Sequence, residues 1–191
     1  MKKIFITFIL FFAFLINSKA ISDRIIVGDE NAKITIIAYE SLTCSHCADF
    51  HKDIYPLLKK EFIDAGLAKI EFRHFPLDAA AFNAAKIAQC GEDKSLKILN
   101  NLYLNQQKWI KGNSIEEFNS NLKKYLKMNG FNLDFEACIS DKEIEDYVLN
   151  DRIEGVKNFD VNATPTIIIN NKKFDKSLNY KNLKKFLEKL I

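Results

Sequence analysis

The chain has 191 residues, of which 48% are hydrophobic, and its net charge is +3 because 28 lysines and arginines outnumber 25 acidic residues. Three of those lysines lie in the first twenty residues, so the rest of the chain is balanced at 25 basic and 25 acidic side chains. Such a neutral chain gives no support for a nucleic-acid or anionic-membrane partner. The length fits one domain, or one domain with a large insertion.

Residues 1–20 have the pattern of a secretory signal peptide. Lys2 and Lys3 precede an apolar run over residues 4–16, which is shorter than the roughly 20 residues that a membrane-spanning helix needs. Ser18 and Ala20 supply the small side chains that a signal peptidase reads. We therefore predict that segment 1–20 is cleaved and that the chain is exported to the periplasm, with an uncleaved anchor as the alternative.

The first part of the remaining chain reads as strand, helix, strand. Residues 25–27 suggest a short edge strand, and the β-branched and aromatic run 34–39 predicts a buried one. An amphipathic helix follows to about residue 65, and Pro56 within it should kink that helix. The alternating run 67–75 predicts the next strand. This order favours parallel strands joined by a right-handed crossover.

Residues 78–159 carry little strand signal and read as one helical insertion. The helices predicted within it cover residues 79–89, 95–109, 114–129, 133–139 and 141–155. Strand signal returns at 166–170, and Asn170 with Asn171 predicts a tight turn into a short returning strand. A closing helix is predicted over 183–190. The whole is an α/β protein in which a mixed sheet has helices on both faces.

Cys44 and Cys47 form a Cys-x-x-Cys motif at the junction of the buried strand and the amphipathic helix. Unpaired N–H groups and the helix dipole at a helix N-terminus favour an anion, and a thiolate is such an anion. We therefore predict that Cys44 is the nucleophile and that Cys47, one turn deeper, resolves a mixed disulfide formed on Cys44. His46, if cationic, would add positive charge near the Cys44 sulfur.

Other uses of this motif remain open. A c-type haem site needs a histidine directly after the second cysteine, and Ala48 stands there. A metal site would need further ligands, for which His51 is available one turn beyond Cys47, and a structural disulfide is a third alternative. We predict no metal and interpret His51 as a helix-face residue. We interpret His74 as packed or half exposed.

Two further features concern the other cysteines and a late proline. Cys90 and Cys138 bring the cysteine count to four, and an even count in an exported chain favours disulfides. A bridge across the 48 residues between them would stabilise the fold by about 4 kcal/mol. Thr164-Pro165 lies just before the late strand, where spacing alone leaves the peptide bond either cis or trans.

Three stretches in this order resemble the DsbA-type thiol–disulfide oxidoreductases, and among them the branch with a second cysteine pair. They are residues 41–48, 72–78 and 162–166. The resemblance implies a thioredoxin-like fold, formed by residues 21–77 and 160–191, with an inserted all-helical domain over 78–159. It also implies a cis Pro165 that faces Cys44 with Thr164 beside it, and a structural disulfide between Cys90 and Cys138.

The chain departs from that family pattern at three places. Ser45 stands where proline is common, which leaves the strength of the oxidant open. Ala38 stands where the family has a buried acid, and Glu40 is the nearest acid, on the same strand face by parity. We hypothesise that Glu40 is a proton acceptor for Cys47. Thr164 is shared with isomerases and reductases, so it does not choose the direction of the reaction.

The resulting functional prediction is an exported protein-disulfide oxidase without a cofactor. It would oxidise reduced exported client proteins and be reoxidised by a quinone-linked, DsbB-like membrane partner. Only about thirteen residues separate the predicted cleavage site from the first strong strand, which favours a monomer without a dimerisation domain. The alternatives are an isomerase or reductase on the same fold and a non-enzymatic exported protein that binds metal through Cys44, Cys47 and His51.

Overall fold

A computed structural model describes residues 24–91, 93 and 95–191, and the predicted signal peptide lies outside them. The strands form one sheet in the order β1-β3-β2-β4-β5. They are β1 (Ile25–Val27), β2 (Ile34–Glu40), β3 (Ala68–His74), β4 (Thr166–Ile169) and β5 (Lys172–Lys173). β2 and β3 are parallel and the other pairs are antiparallel, which confirms the predicted mixed α/β sheet. Asn170 and Asn171 both have positive φ, as a two-residue turn between β4 and β5 requires.

The helix after β2 alternates between α and π geometry. Its consecutive segments are α1 (Ser45–Asp49), π1 (Phe50–Ile54), α2 (Tyr55–Leu58) and π2 (Lys59–Ile63). Pro56 has no N–H to donate to an α-helical bond, and π1 ends two residues before it at Ile54, with Tyr55 N–H bonded to the carbonyl of Phe50. The predicted helix is therefore confirmed, and its irregularity at the proline takes the form of a π-helical turn.

Among the described residues, six α-helices lie between β3 and β4. They are α3 (Ala79–Gln89), α4 (Ser95–Leu104), α5 (Gln106–Trp109), α6 (Ile115–Met128), α7 (Phe135–Ser140) and α8 (Lys142–Phe159). The prediction of one helix over 95–109 is wrong, because Asn105 departs from helical geometry and separates α4 from α5. The predicted end at Gly155 is also wrong, since α8 continues to Phe159 and ends at Asp160, whose φ is +50°. The last helix, α9 (Tyr180–Leu187), begins three residues earlier than predicted because Asn179 caps it.

Both faces of β2 are buried, and they contact different parts of the core. Ile36 and Ala38 belong to the main hydrophobic cluster, which the active-site helix and most of the insertion share. Ile37 and Tyr39 point the other way, into a smaller cluster that Phe159 of α8 covers. Because side chains alternate along a strand, Glu40 lies on the Ala38 face. The strand therefore carries a carboxyl group into the interior beneath the active-site helix.

Buried polar contacts hold α8 against the sheet. The carboxylate of Asp151 is 2.9 Å from Nη1 of Arg24 and accepts a hydrogen bond from the backbone N–H of His74 at 3.0 Å. The His74 ring is buried and its Nε2 lies 3.2 Å from Oε1 of Gln89. Within the described part of the chain, no helix has the length and apolarity that crossing a membrane requires.

Gly155 brings α8 close to the ring of Tyr39, which gives a test of this packing. A Cβ at residue 155 would lie 2.8 Å from Cε1 of Tyr39. Gly155→Ala should therefore lower the free energy of unfolding by about 1 kcal/mol, because overpacking exceeds the gain in helix propensity. Urea unfolding measures this, with the exposed Asn158→Ala on the same helix as the control. A Gly155→Ala protein as stable as its parent would contradict the packing.

The structure pairs Cys90, at the C-terminal end of α3, with Cys138 of α7, with Cα atoms 5.7 Å apart. Replacing both by alanine should lower the free energy of unfolding by up to about 4 kcal/mol, because the bridge closes a long loop in the unfolded chain. Denaturant unfolding without reductant measures the loss. With a strong reductant present, parent and variant should become nearly equally stable, and equal stability without it would disprove a stabilising bridge.

Candidate active site

The active site begins where β2 ends. Cys44 has an extended backbone (φ −78°, ψ 121°) and is the N-cap residue of α1, where the backbone N–H groups of Cys47 and His46 lower the pKa of its thiol. The Cys44 side chain is half-buried, whereas Cys47 is fully buried inside the helix. Both thiols are free, so the structure shows the reduced pair. The motif thus presents one accessible sulfur and hides the other.

Hydrogen-bond donors around Cys44 favour its thiolate. A hydrogen bond from the Cys47 thiol, with smaller contributions from Thr164 and the two backbone N–H groups, lowers the pKa of Cys44 to about 5, against burial that raises it. In the thiol form Cys44 Sγ lies 3.3 Å from the carbonyl oxygen of Thr164. The buried Thr164 hydroxyl has no other hydrogen-bond partner among the described residues, so it is free to donate to the anion.

The environment of Cys47 has the opposite effect. Burial raises the pKa of the Cys47 thiol far above its ordinary value, and its hydrogen bond to Cys44 and the charge of Glu40 act in the same direction. Cys47 therefore stays a thiol while Cys44 is a thiolate. Such an unequal pair has one sulfur ready to attack or leave as an anion and a second one that needs a base before it can attack.

His46 contributes to the lowered pKa of Cys44 through its backbone N–H, and its ring is exposed. The side chain of His46 is 82% exposed, and its Nδ1 lies 3.7 Å from a carboxylate oxygen of Asp49. That a cationic imidazole adds positive charge near the Cys44 sulfur stays a prediction. The backbone N–H of residue 46 lowers the pKa of Cys44, and every residue except proline would provide that N–H.

The Thr164–Pro165 peptide bond is cis, and the loop that contains it lies next to Cys44, with the Thr164 carbonyl oxygen 3.3 Å from the Cys44 sulfur. β4 begins at Thr166, directly after the proline, and pairs with β2, so two neighbouring strands carry the two halves of the site. The Thr166 hydroxyl donates to the Ala163 carbonyl at 2.7 Å, which closes the loop on itself. Sequence spacing alone left the isomer open, and the family resemblance implied it.

Glu40 lies beneath Cys47 and is paired with a histidine. Its side chain is buried, and Oε2 is 2.8 Å from Nε2 of His51 in π1. The other ring nitrogen, Nδ1, is 3.0 Å from Oδ1 of Asn100 in α4. His51 is thus fully buried between the sheet and the insertion. The sequence interpretation of His51 as a helix-face residue did not include these contacts, because helical periodicity does not show which other elements a helix face contacts.

Two residues of the insertion hold the active-site loop. The side-chain amide of Gln106, at the start of α5, donates to the carbonyl oxygens of Leu42 at 2.8 Å and Cys44 at 2.9 Å. Asp78, which caps α3, accepts a hydrogen bond from the Thr43 hydroxyl at 2.7 Å. Sequence reasoning named neither as a site residue. The only available signal was for Asp78, which lies in the stretch 72–78 that carries the resemblance.

The metal-binding alternative loses its third ligand in this arrangement. Both ring nitrogens of His51 already contact protein oxygens, those of Glu40 and Asn100. Among the residues the structure describes, no three histidine, cysteine or carboxylate side chains are grouped as a metal site requires.

Comparisons with known proteins agree with this geometry. The family model described as thioredoxin matches residues 20–189. A Rickettsia bellii protein named "Putative protein-disulfide oxidoreductase" is 27% identical over 160 residues, which are 82% of this chain and 61% of that protein. Disulfide bond formation protein D of Bacillus subtilis is 26% identical over 183 residues, 89% of this chain and 78% of its own length. The chain thus spans about six-tenths of the Rickettsia relative.

Solved structures show the same fold. The α-DsbA1 protein of Wolbachia pipientis superposes with a TM-score of 0.77 at 28% identity, over 88% of this chain and 90% of its own. BdbD of Bacillus subtilis, in its oxidised form, gives a TM-score of 0.72 at 21% identity over 87% and 92%. Because the family model covers residues 20–189 and the relatives and solved structures are disulfide oxidoreductases and DsbA proteins, the chain belongs to the thioredoxin family, as a DsbA-type member.

Proposed function

We propose that this chain is an exported protein-disulfide oxidase that works through Cys44 and Cys47. The observation that carries the proposal is the inequality of the two thiols: donors hold Cys44 as an anion, while burial keeps Cys47 neutral. A dithiol of this kind is stabilised in its reduced form, so its disulfide is a ready acceptor of electrons from other thiols.

The proposed cycle needs only thiol–disulfide exchange. A client thiolate attacks the sulfur of Cys44 in the Cys44–Cys47 disulfide, a mixed disulfide forms, and Cys47 leaves and takes up a proton. A second client thiolate attacks the client sulfur of that mixed disulfide, and Cys44 leaves as its thiolate. The client gains a disulfide and the enzyme pair gains two electrons. Thr164 and Pro165 lie beside Cys44, where the client chain would bind.

The names of the relatives support this class of reaction, since those of Rickettsia bellii and Bacillus subtilis refer to disulfide chemistry. Export to the periplasm, reduced client proteins as substrates, a quinone-linked membrane partner as the reoxidant and a monomeric state are further parts of the proposal. The predicted signal peptide over residues 1–20 supports export. Retention of a cleaved protein in the periplasmic fraction would test it.

An isomerase or reductase is the second candidate, because Thr164 before the proline is compatible with either. The equilibrium of the Cys44/Cys47 pair with glutathione separates the candidates. We expect a potential well above the glutathione range, as for an oxidase, and a value near that of thioredoxin, about −270 mV, would instead indicate a reductase.

The titration of Cys44 tests the basis of the oxidase. We expect the thiolate absorbance of the reduced protein to titrate near pH 5, since the pKa of Cys44 is lowered to about 5. Because this pKa lies below that of an unfolded cysteine, the thiolate stabilises the reduced fold fully above about pH 8.5, and that contribution is lost as the pH falls through the folded value. Cys44→Ser is the matched control and should remove the transition. A transition near pH 8.5 would disprove the mechanism.

Glu40 is proposed as the proton acceptor of Cys47. Its charge acts on Cys47, and its Oε1 is buried without a hydrogen-bond partner among the described residues. Glu40→Ala should slow reoxidation by about a hundredfold, the usual contribution of a positioned base. Stopped-flow mixing of the reduced protein with glutathione disulfide measures this. Unchanged exchange rates and an unchanged Cys47 titration would remove Glu40 from the mechanism.

A further inference from the structure

Glu40 and His51 form a buried polar contact beneath the active-site cysteines. The two side chains come from β2 and π1, both are buried, and Nε2 and Oε2 are 2.8 Å apart. An isolated charge at such a depth is costly, so each group depends on the other. The family resemblance expects the buried acid at residue 38, whereas this chain has Ala38 and a buried Glu40. The pair is therefore a feature of this chain that remains to be explained.

The contact with Asn100 determines where the protons of this pair are. Oδ1 of Asn100 can only accept a hydrogen bond, so Nδ1 of His51, at 3.0 Å, carries a hydrogen. A second proton must then lie between Nε2 and Oε2, either on the ring or on the carboxyl group, because two bare acceptors would repel each other at 2.8 Å. In both cases the pair is neutral overall. We call these two side chains, Glu40 and His51, the carboxyl–imidazole couple.

The aromatic neighbours of the His51 ring fix its position and carry no charge. Tyr103 of α4 stacks on His51 with ring centroids 4.1 Å apart and planes 15° from parallel, and Tyr55 and Phe72 pack around it. Burial raises the pKa of Tyr103 well above its usual value and that of Tyr55 to about 12, so both phenols stay neutral. Cys44 and Cys47 are the remaining titratable groups that interact with Glu40.

We propose that His51 is a positioning residue and that the carboxyl–imidazole couple, not Glu40 alone, holds the proton that Cys47 loses and regains. This inference rests on the proposed function. During reoxidation by a disulfide, Cys44 attacks one sulfur of the oxidant and its other sulfur leaves as a thiolate. Cys47 gives its proton to Oε1 of Glu40, its thiolate attacks Cys44, the Cys44–Cys47 bond forms, and the second oxidant sulfur leaves as a thiolate.

The couple then carries one extra proton and one positive charge, which it releases to solvent. When the enzyme disulfide is reduced by a client, the same atoms return a proton to Cys47 as its sulfur leaves. Without His51, burial would raise the pKa of Glu40 further and keep it protonated, and a protonated carboxyl cannot accept the Cys47 proton. The imidazole is therefore what allows a carboxyl group at this depth to act as a base.

The test compares His51→Gln and Glu40→Gln with His74→Gln. The last variant makes the same substitution at a similarly buried histidine, whose Nε2 contacts the neutral Gln89 and whose backbone N–H donates to Asp151. For each, the intramolecular attack of Cys47 on a Cys44–glutathione mixed disulfide is followed by stopped flow across neutral pH. We expect both couple variants to slow this step at least about tenfold and to give it a steeper dependence on pH. His74→Gln should retain the parent pH profile.

Each outcome bears on a different claim. If the oxidised parent protein fails to oxidise a dithiol peptide, the proposed function is wrong. If the parent is active but His51→Gln keeps its rate and pH profile, only the role of the couple is wrong. An equal change in His74→Gln would also overturn it, since burial alone would then explain the effect.

A measurement on the unsubstituted protein covers the case in which the variants do not fold. The nitrogen chemical shifts of the His51 ring should show a protonated Nδ1, and the Nε2 signal should change between the reduced and oxidised protein. A bare Nδ1, or a ring insensitive to the redox state of the cysteines, would contradict the proposal.

Discussion

The N-terminus of α1 directs several hydrogen-bond donors toward one sulfur atom, that of Cys44. Two backbone N–H groups, the Thr164 hydroxyl and the Cys47 thiol can all donate to Cys44, and together they outweigh the burial that opposes its ionisation. Cys47 lies one turn further along the same helix, where burial dominates. The helix therefore creates the difference between the two thiols by position alone, and the sheet, proline loop and insertion serve to hold that position.

The sheet positions both the active-site cysteine and the buried carboxyl group of Glu40. β2 delivers Cys44 at its carboxyl end, and its alternation places Glu40 on the face that the active-site helix covers. Its neighbour β4 begins directly after Pro165, so pairing of the two strands sets the proline loop opposite the cysteine. The location of the carboxyl group and the location of the loop thus follow from the same strand.

Local patterns and distant contacts differ in how well the sequence predicts them. Strand β2, the helix start at Cys44 and the helical insertion follow from short-range periodicity, and the structure confirms these elements. The pairing of Cys90 with Cys138 and the isomer at Pro165 needed the resemblance, because spacing left both open. The contacts of Gln106 with Cys44 and of Asn100 with His51 join residues 62 and 49 positions apart. The hydrophobic periodicity of one helix shows which of its faces is buried, but not which residues of another element contact that face.

Helix α3 is fixed at both ends, and the two attachments differ in kind. At its start Asp78 bonds to Thr43, the neighbour of Cys44, and at its end Cys90 is covalently joined to Cys138. The insertion thus contacts the active-site loop through helix α3, whose other end is held by the Cys90–Cys138 disulfide. A protein that is proposed to form disulfides in other proteins therefore has a disulfide of its own in the helix that contacts its active-site loop. The chain must form that bond, and keep it distinct from the pair at Cys44 and Cys47, before the helix that contacts its catalytic loop is anchored at both ends.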